Sequence, residues 1–146
     1  AYLVERRSRR LKAQFKELPG PEIGRRRKAG DDLFDTIDVP ELGYATDTLP
    51  RIFETAPELR RVKTLVAECT FLDKRKTLAA ARAGCHIHLD ELLPILPELE
   101  CRHIVLMHFS QLYKPADVHR ILDERLSETD RERVQALAPR RGAWWD

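Results

Sequence analysis

The sequence lacks the hydrophobic segments that direct a protein into a membrane or out of the cell. No segment of its 146 residues approaches the roughly 20 uncharged apolar residues that a membrane-spanning helix needs. The first residues, AYLVERRSRR, hold no long apolar run before a small-residue cleavage site, which argues against a signal peptide. We therefore expect a cytoplasmic protein with no membrane partner.

Cysteine is scarce, and neither sign of charge dominates. The three cysteines are an odd number in apolar or histidine-rich surroundings, which favours free thiols over a disulfide scaffold. The 26 basic and 24 acidic residues give a net charge of +2, which excludes a histone-like chain but not local basic patches. Hydrophobic residues make up 42% of the sequence, which is enough for the core of one domain.

Basic residues cluster twice near the start, at residues 6–12 and 25–28. Such clusters can contact nucleic-acid phosphates, but Phe15 is the only ring nearby, so a solvated basic face is the favoured interpretation. The second cluster precedes Gly30, which suits a short helix, and the stretch LPGPEIG before it is typical of a turn. The tail at 138–146 holds two tryptophans, expected to pack on the body or on another copy, with a nucleobase platform as the less favoured alternative.

Three apolar, strand-like runs each end at a polar residue that can act as a ligand. Asp47 ends the run ELGYATDT, Glu68 ends VKTLVAEC, and His108 ends the apolar part of RHIVLMHFS. Helical stretches are predicted at 73–82, 89–99 (shortened or kinked by its two prolines) and 116–126, and a capping box at Ser127 predicts a last helix. This alternation predicts α/β layers, with the three strand ends converging at one edge of a sheet.

Histidines and a carboxylate in these positions suggest a metal site. His86 and His88 lie in GCHIHLDE, after a glycine and before a predicted helix, where an imidazole can point across a cleft. Imidazole and carboxylate ligands suit Zn²⁺. Each residue also has a structural interpretation: a hydrogen-bonded histidine at a strand end, a turn or N-cap aspartate at Asp47, and a paired or solvated Glu68.

Four ordered motifs, ATDT, VAECTF, GCHIHLDEL and IVLMHFSQLY, together resemble the second half of the metallo-β-lactamase fold. They are most similar to the ribonuclease Z branch, the tRNA 3′-processing endonucleases, whose counterparts read roughly GDT, HEAT, GHST and THFSxRY. The upstream LPGPEIGRRRKAG resembles that family's GPLxxLKxG segment. The resemblance runs from about Tyr2 to Leu126.

The resemblance implies a role for each matching residue. Asp47 would bridge two zinc ions, His108 would ligate one of them, and His86 would lie near the second zinc and protonate the leaving oxygen. Glu68 would support the loop of His86 from behind. Further substrate-binding positions are Ser110, Tyr113 and His88, of which His88 is also the alternative loop ligand.

The resemblance also implies a fold and an activity. The chain would be the C-terminal half of an αβ/βα sandwich, with a basic segment and turn region over 1–40, the ligand-bearing core over 41–126, and a last helix and tail over 127–146. The function would be a zinc-dependent phosphodiesterase or endoribonuclease acting on RNA, and the family suggests a homodimer. The HxHxDH motif would precede Ala1 or come from another chain.

Departures from the family pattern keep two alternatives open. Thr46 replaces the glycine of GDT, Ile87 replaces the Ser or Thr after the loop histidine, and Leu112 replaces the arginine of SxRY. These changes motivate a hydrolase of a small ester, thioester or cyclic nucleotide on the same scaffold. The missing HxHxDH motif motivates a third hypothesis, a non-catalytic binding domain.

Overall fold

The computed structural model describes residues 1–144, which fall into two units. The larger unit contains residues 1–4 and the chain from Pro40 onward, and the smaller contains Glu5–Val39. The candidate residues all lie in the larger unit. No helix in the described part of the chain is both long enough and apolar enough to span a bilayer.

A five-stranded sheet organises the chain, with its strands in sequence order from edge to edge. The strands are β1 (Tyr2–Leu11), β2 (Phe34–Ala45), β3 (Thr64–Glu68), β4 (His103–Met107) and β5 (Val134–Ala136). The pairs β2–β3, β3–β4 and β4–β5 are parallel. The three predicted strands are thus confirmed as β2, β3 and β4, and the alternation with helices confirms a mixed α/β fold.

Within residues 1–144, six α-helices accompany the sheet: α1 (Gly20–Lys28), α2 (Ile52–Thr55), α3 (Leu78–Ala83), α4 (Leu89–Leu92), α5 (Pro115–Arg125) and α6 (Glu128–Arg133). The same residues include three short 3-10 turns, at Ala13–Phe15, Pro57–Arg61 and Leu96–Glu98. The predicted capping of the last helix is confirmed, since Ser127 Oγ accepts a hydrogen bond from the Asp130 amide at 3.1 Å.

Three predicted boundaries were wrong, each for a local reason. The stretch predicted as a turn before the second basic cluster is already helical from Gly20, because a proline in the first turn of a helix needs no amide hydrogen. The helix predicted from residue 73 begins only after Thr77, whose hydroxyl accepts from the Ala80 amide at 3.2 Å. The helix predicted over 89–99 divides into α4 and the 3-10 turn at Leu96–Glu98, because its two prolines cannot donate helical hydrogen bonds.

The core of the larger unit lies against the central strands. Leu65 and Ala67 of β3 and Ile104 and Leu106 of β4 are completely buried. In each strand these residues alternate with partly exposed ones, so one face of the sheet supplies the core. The apolar runs of the sequence therefore form the strands, and the polar residues that follow these runs lie at the ends of the strands.

Part of the tail packs on the body, as expected. Trp144 is partly buried, its indole Nε1 donates to the Tyr113 carbonyl at 2.8 Å, and its ring lies 6.3 Å from that of Phe109. The second tryptophan, Trp145, lies outside the described residues.

The smaller unit is rich in surface ion pairs. Arg7 Nε lies 2.9 Å from Asp38, and Glu22 accepts from both Arg25 and Arg26 of α1. These two hydrogen bonds lower the pKa of Glu22 from 4.5 to about 2. Part of each basic cluster is therefore neutralised by acidic neighbours within the unit.

Candidate metal centre

Parallel pairing brings the three strand ends together. Ala45 of β2 pairs with Ala67 of β3, and Glu68 pairs with Met107 of β4. His108 follows its strand directly, and its Nε2 lies 3.7 Å from an Asp47 oxygen. The predicted convergence of polar residues at one edge of the sheet is therefore confirmed.

Asp47, His86 and His108 form a cluster with the geometry of a metal site. Each offers one ligand atom, and the three atoms lie within 4.8 Å of one another. The two histidine rings are 5.3 Å apart between centroids. The side chains are reachable from solvent, with exposed fractions of 24% for His86, 41% for His108 and 67% for Asp47.

Glu68 supports this cluster from behind. Its side chain is completely buried, and its carboxylate accepts hydrogen bonds from four groups. These are the Thr48 amide at 2.5 Å, the Thr70 hydroxyl at 2.6 Å, the Ile87 amide at 3.3 Å and His86 Nδ1 at 3.0 Å. The carboxylate thus ties together the loops after β2 and β3 and the loop before α4, with every donor aimed at a negative charge.

The hydrogen bonds also define which ring nitrogens face the cluster. Glu68 Oε2 takes the single hydroxyl proton of Thr70, so the Thr70 oxygen accepts from His108 Nδ1, which lies 3.1 Å away. The same carboxylate oxygen accepts from His86 Nδ1. Both rings therefore carry a proton on Nδ1, which leaves Nε2 as the nitrogen whose lone pair a neutral imidazole can offer to a metal. A buried acceptor behind each imidazole is the usual arrangement around metal-ligating histidines.

Two of the three cluster residues have a backbone conformation that L-amino acids rarely adopt. Asp47 has a φ of 48° and His108 a φ of 62°, and Cys85, next to His86, has a φ of 58°. Such left-handed residues cost on the order of 1 kcal/mol each and concentrate at functional sites. The strain turns the chain sharply after each strand, which directs the side chains toward one another.

The donor set suits a zinc ion. Two neutral imidazoles and a carboxylate are ligands that zinc accepts, and both imidazoles are already oriented through Nδ1. His108 and Asp47 would contribute Nε2 and a carboxylate oxygen, and Nε2 is the nitrogen of His86 that Glu68 leaves unused. The residues present therefore fit the metal that the sequence suggests.

His88, the alternative loop ligand, lies elsewhere. Its side chain is 1% exposed, and its Nε2 donates to the carbonyls of Asp73 and Lys76, both at 3.1 Å. Its Nδ1 accepts from the Asp90 amide and caps α4. Both nitrogens are used within the chain, so His88 takes the structural role and leaves His86 as the histidine of this loop that faces the cluster.

Tyr113 and Ser110, expected at the substrate, also make contacts within the chain. Tyr113 is 1% exposed; its hydroxyl accepts from the Leu72 and Asp73 amides, and burial raises its pKa. The Ser110 amide donates to the Thr70 carbonyl at 3.0 Å. These bonds connect the loop after β4 to the loop after β3.

Two departures from the family pattern have different surroundings. Ile87 is completely buried, so its side chain fills the core, while its backbone carbonyl accepts from Thr70. Leu112 is 53% exposed, so the position where the pattern has arginine faces solvent. The isoleucine at position 87 therefore contributes to the packing of the core, whereas the leucine at position 112 changes the solvent-exposed surface.

Sequence reasoning missed Thr70, which joins Glu68 to His108. Its only signal is its position two residues after Glu68 in AECT, since residues two apart in extended chain point the same way. The pairing of a hydroxyl with a histidine 38 residues away could not be deduced from that spacing.

No model of a protein family matches the chain. The chain is similar to curated proteins named tRNase Z or ribonuclease Z. It is 32% identical to "tRNase Z TRZ1" of Arabidopsis thaliana over 119 residues, which is 80% of this chain and 42% of that protein. It is 27% identical to the chloroplastic "tRNase Z TRZ2" of the same plant, over 80% of this chain and 34% of that protein.

A bacterial relative gives the same result. The chain is 33% identical to "Ribonuclease Z" of Nocardia farcinica over 121 residues, covering 74% of this chain and 38% of that protein. The chain thus spans less than half the length of these relatives. The chain is a relative of the ribonuclease Z proteins across most of its length.

Proposed function

We propose that this chain carries part of the active centre of a zinc-dependent phosphodiesterase, an endoribonuclease resembling ribonuclease Z. The observation that supports this most strongly is the cluster of Asp47, His86 and His108 with the buried Glu68 behind it. The relatives, which are named for cleavage of RNA, point to the same chemistry.

In this proposal Asp47 and His108 hold metal and His86 acts on the substrate. When bound, two zinc ions supply an activated water near neutral pH and stabilise charge on the phosphodiester. Glu68 fixes the His86 ring through Nδ1 and would stabilise its imidazolium form, so that a proton taken up on Nε2 can pass to the leaving oxygen. Thr70 fixes the His108 ring in the same way.

A complete two-zinc centre needs more ligands than these three side chains provide. We propose that the five-stranded sheet is one half of a metallo-β-lactamase-like αβ/βα sandwich. The other half, from a further segment or from a second copy in a homodimer, would bring the remaining ligands. The chain alone would then bind zinc more weakly than the complete protein.

The test uses two histidines at opposite ends of β4, His103 as its first residue and His108 directly after its last. His108→Ala and Asp47→Ala in the complete protein should abolish bound zinc and cleavage of precursor tRNA together. His103→Ala is the matched control, since His103 is exposed at the opposite end of β4 and should retain both. Full phosphodiesterase turnover in the His108 or Asp47 variant would overturn the proposal.

A second candidate is a hydrolase of a small ester, thioester or cyclic nucleotide at the same centre. The observation that favours it is the exposed Leu112, where the family pattern has an arginine able to contact RNA. Parallel assays on precursor tRNA and on bis(p-nitrophenyl) phosphate separate the two candidates. Turnover of the small ester without RNA cleavage would favour this one, and a folded protein that binds no zinc would favour the non-catalytic binding domain.

A further inference from the structure

Two adjoining cavities lie beside the candidate metal centre. The first, of about 340 Å³, has Asp47 in its wall together with Thr48, Leu49, Arg51 and Cys85. The second, of about 280 Å³, is lined by Leu49, Pro50, Arg51, Arg82 and Glu91. Because Leu49 and Arg51 line both, the two cavities form one groove that begins at a cluster residue. Pockets for small ligands start at about 300 Å³, so the groove has room for a nucleotide.

Among the described residues, the groove is lined by two arginines and two carboxylates, and one of the arginines, Arg51, is unpaired. Among residues 1–144 the guanidinium of Arg51 makes no ion pair and no side-chain hydrogen bond, and the residue is exposed. By contrast, nine other arginines of the described residues form ion pairs with carboxylates, among them Arg82 in the same groove. A free guanidinium presents a planar set of donors that matches a phosphate group.

The groove also carries a buried acceptor without a donor. Glu91 Oε1 accepts from Arg82 Nε at 2.6 Å, whereas Glu91 Oε2 is buried and has no hydrogen-bond partner among the described residues. Unsatisfied buried oxygens are rare because each costs free energy, and a ligand that supplies a donor removes that cost. Glu91 lines the end of the groove away from Asp47.

We propose that this groove binds the nucleotide next to the scissile phosphate, with Arg51 on that nucleotide's phosphate and Glu91 Oε2 accepting from its sugar hydroxyl or base amine. The inference rests on the proposed function, because the groove starts at Asp47 and a strand cleaved at the cluster must continue away from it. Leu49, shared by both cavities, provides the apolar surface on which the sugar or base rests.

The binding test is done with metal removed, so that it does not depend on catalysis. EDTA-treated protein is titrated with a labelled ribo-oligonucleotide of six nucleotides. We expect Arg51→Ala to weaken binding about ten- to a hundredfold, the effect of losing a hydrogen bond to a charged group. Arg61→Ala is the matched control, because Arg61 is exposed and makes no ion pair within residues 1–144 but does not line the groove. Equal affinity of the Arg51 and Arg61 variants would overturn the proposal.

Glu91→Gln identifies the donor. If the sugar hydroxyl donates, the variant should bind the ribo-oligonucleotide several-fold more weakly and leave the affinity for the matching deoxy-oligonucleotide unchanged. If a base amine donates, binding of both should weaken equally. Unchanged affinity for both would remove Glu91 from the site.

Cys85 provides an independent readout. It lines the first cavity and is exposed, whereas Cys69 and Cys101 are buried. Bound oligonucleotide should slow iodoacetamide labelling of Cys85 at least fivefold in the unmodified protein and have no effect in Arg51→Ala. If oligonucleotide leaves the labelling rate of Cys85 unchanged in both the unmodified protein and Arg51→Ala, the proposal that the groove binds a nucleotide is wrong. If the protein passes these binding tests but cleaves no RNA, only the proposed function is contradicted. If it cleaves RNA but fails the binding tests, only the proposed nucleotide site in the groove is contradicted.

Discussion

The ring of His86 and the buried carboxylate of Glu68 are joined by a 3.0 Å hydrogen bond between Nδ1 and Oε2. The same oxygen accepts from the Thr70 hydroxyl, which in turn accepts from His108. One carboxylate oxygen therefore sets the orientation of two histidines that come from different loops. The direction of both Nε2 atoms depends on a residue that does not itself face solvent.

Glu68→Gln should uncouple this arrangement. A glutamine that keeps its oxygen at the Oε2 position, to accept from Thr70 and His86, places its amide nitrogen at Oε1, where it faces the N–H of Thr48 and two donors meet. We expect zinc affinity to fall about 10- to 100-fold, as when other groups behind metal ligands are replaced, and the free energy of unfolding to fall by about 1–3 kcal/mol. Zinc titration and urea unfolding measure the two effects. Glu54→Gln, at an exposed position, is the control, and an unchanged zinc affinity in Glu68→Gln would contradict the assignment.

The two simplest replacements of Asp47, by glycine and by alanine, should differ in stability although both remove the carboxylate ligand. Because its φ is 48°, glycine fits the backbone at this position without strain, whereas alanine does not. We expect Asp47→Gly to be more stable than Asp47→Ala by about 1 kcal/mol, with zinc binding lost in both. Urea unfolding of the two variants gives the difference. Equal stability would mean that the backbone relaxes when the aspartate is removed.

Gly43 in β2 should not tolerate a side chain. A Cβ at this position would lie 2.7 Å from a methyl group of Leu59 and 3.3 Å from one of Val62, both buried. Gly43→Ala should therefore lower the free energy of unfolding by about 1–3 kcal/mol. Gly24→Ala is the opposite control, since nothing lies within 4 Å in α1 and alanine favours helix by about 0.5–1 kcal/mol. Thermal unfolding of both variants should show shifts of opposite sign.

Glu22 should give α1 an acid-sensitive contact. Its pKa is lowered to about 2 by hydrogen bonds from Arg25 and Arg26, so its contribution to stability is complete above pH 4.5 and is lost as the pH falls through about 2. NMR titration of the carboxyl carbon should give a midpoint well below that of a free glutamate. In Glu22→Gln, helix α1 should exchange its amide hydrogens faster at pH 6. A normal titration midpoint would show that the ion pairs do not form in solution.

The strands and their polar ends could be predicted from the sequence because they depend on local pattern. The apolar run before Asp47, Glu68 or His108 indicates a buried strand, and parallel pairing of such strands brings their ends to one edge. The boundaries of the helices were less predictable, since the start of α3 depends on the single hydroxyl of Thr77.

The choice between His86 and His88 could not be made from spacing alone. The two residues are separated by Ile87, which points into the core, yet only His86 reaches Glu68. His88 instead binds two carbonyls of the loop before α3, a contact that depends on how that loop folds back. Tertiary hydrogen bonds of this kind leave no periodic signal in a sequence.

The parallel pairing of β2, β3 and β4 has a consequence for how the protein folds. Asp47, Glu68 and His108 lie about 20 and 40 residues apart along the chain, so no short loop can bring their side chains together early. Contacts between such distant segments form slowly, because the chain loses loop entropy before it gains them. The histidines and carboxylates therefore meet only after the central sheet has assembled, and the cluster that they form can appear during refolding no earlier than that sheet.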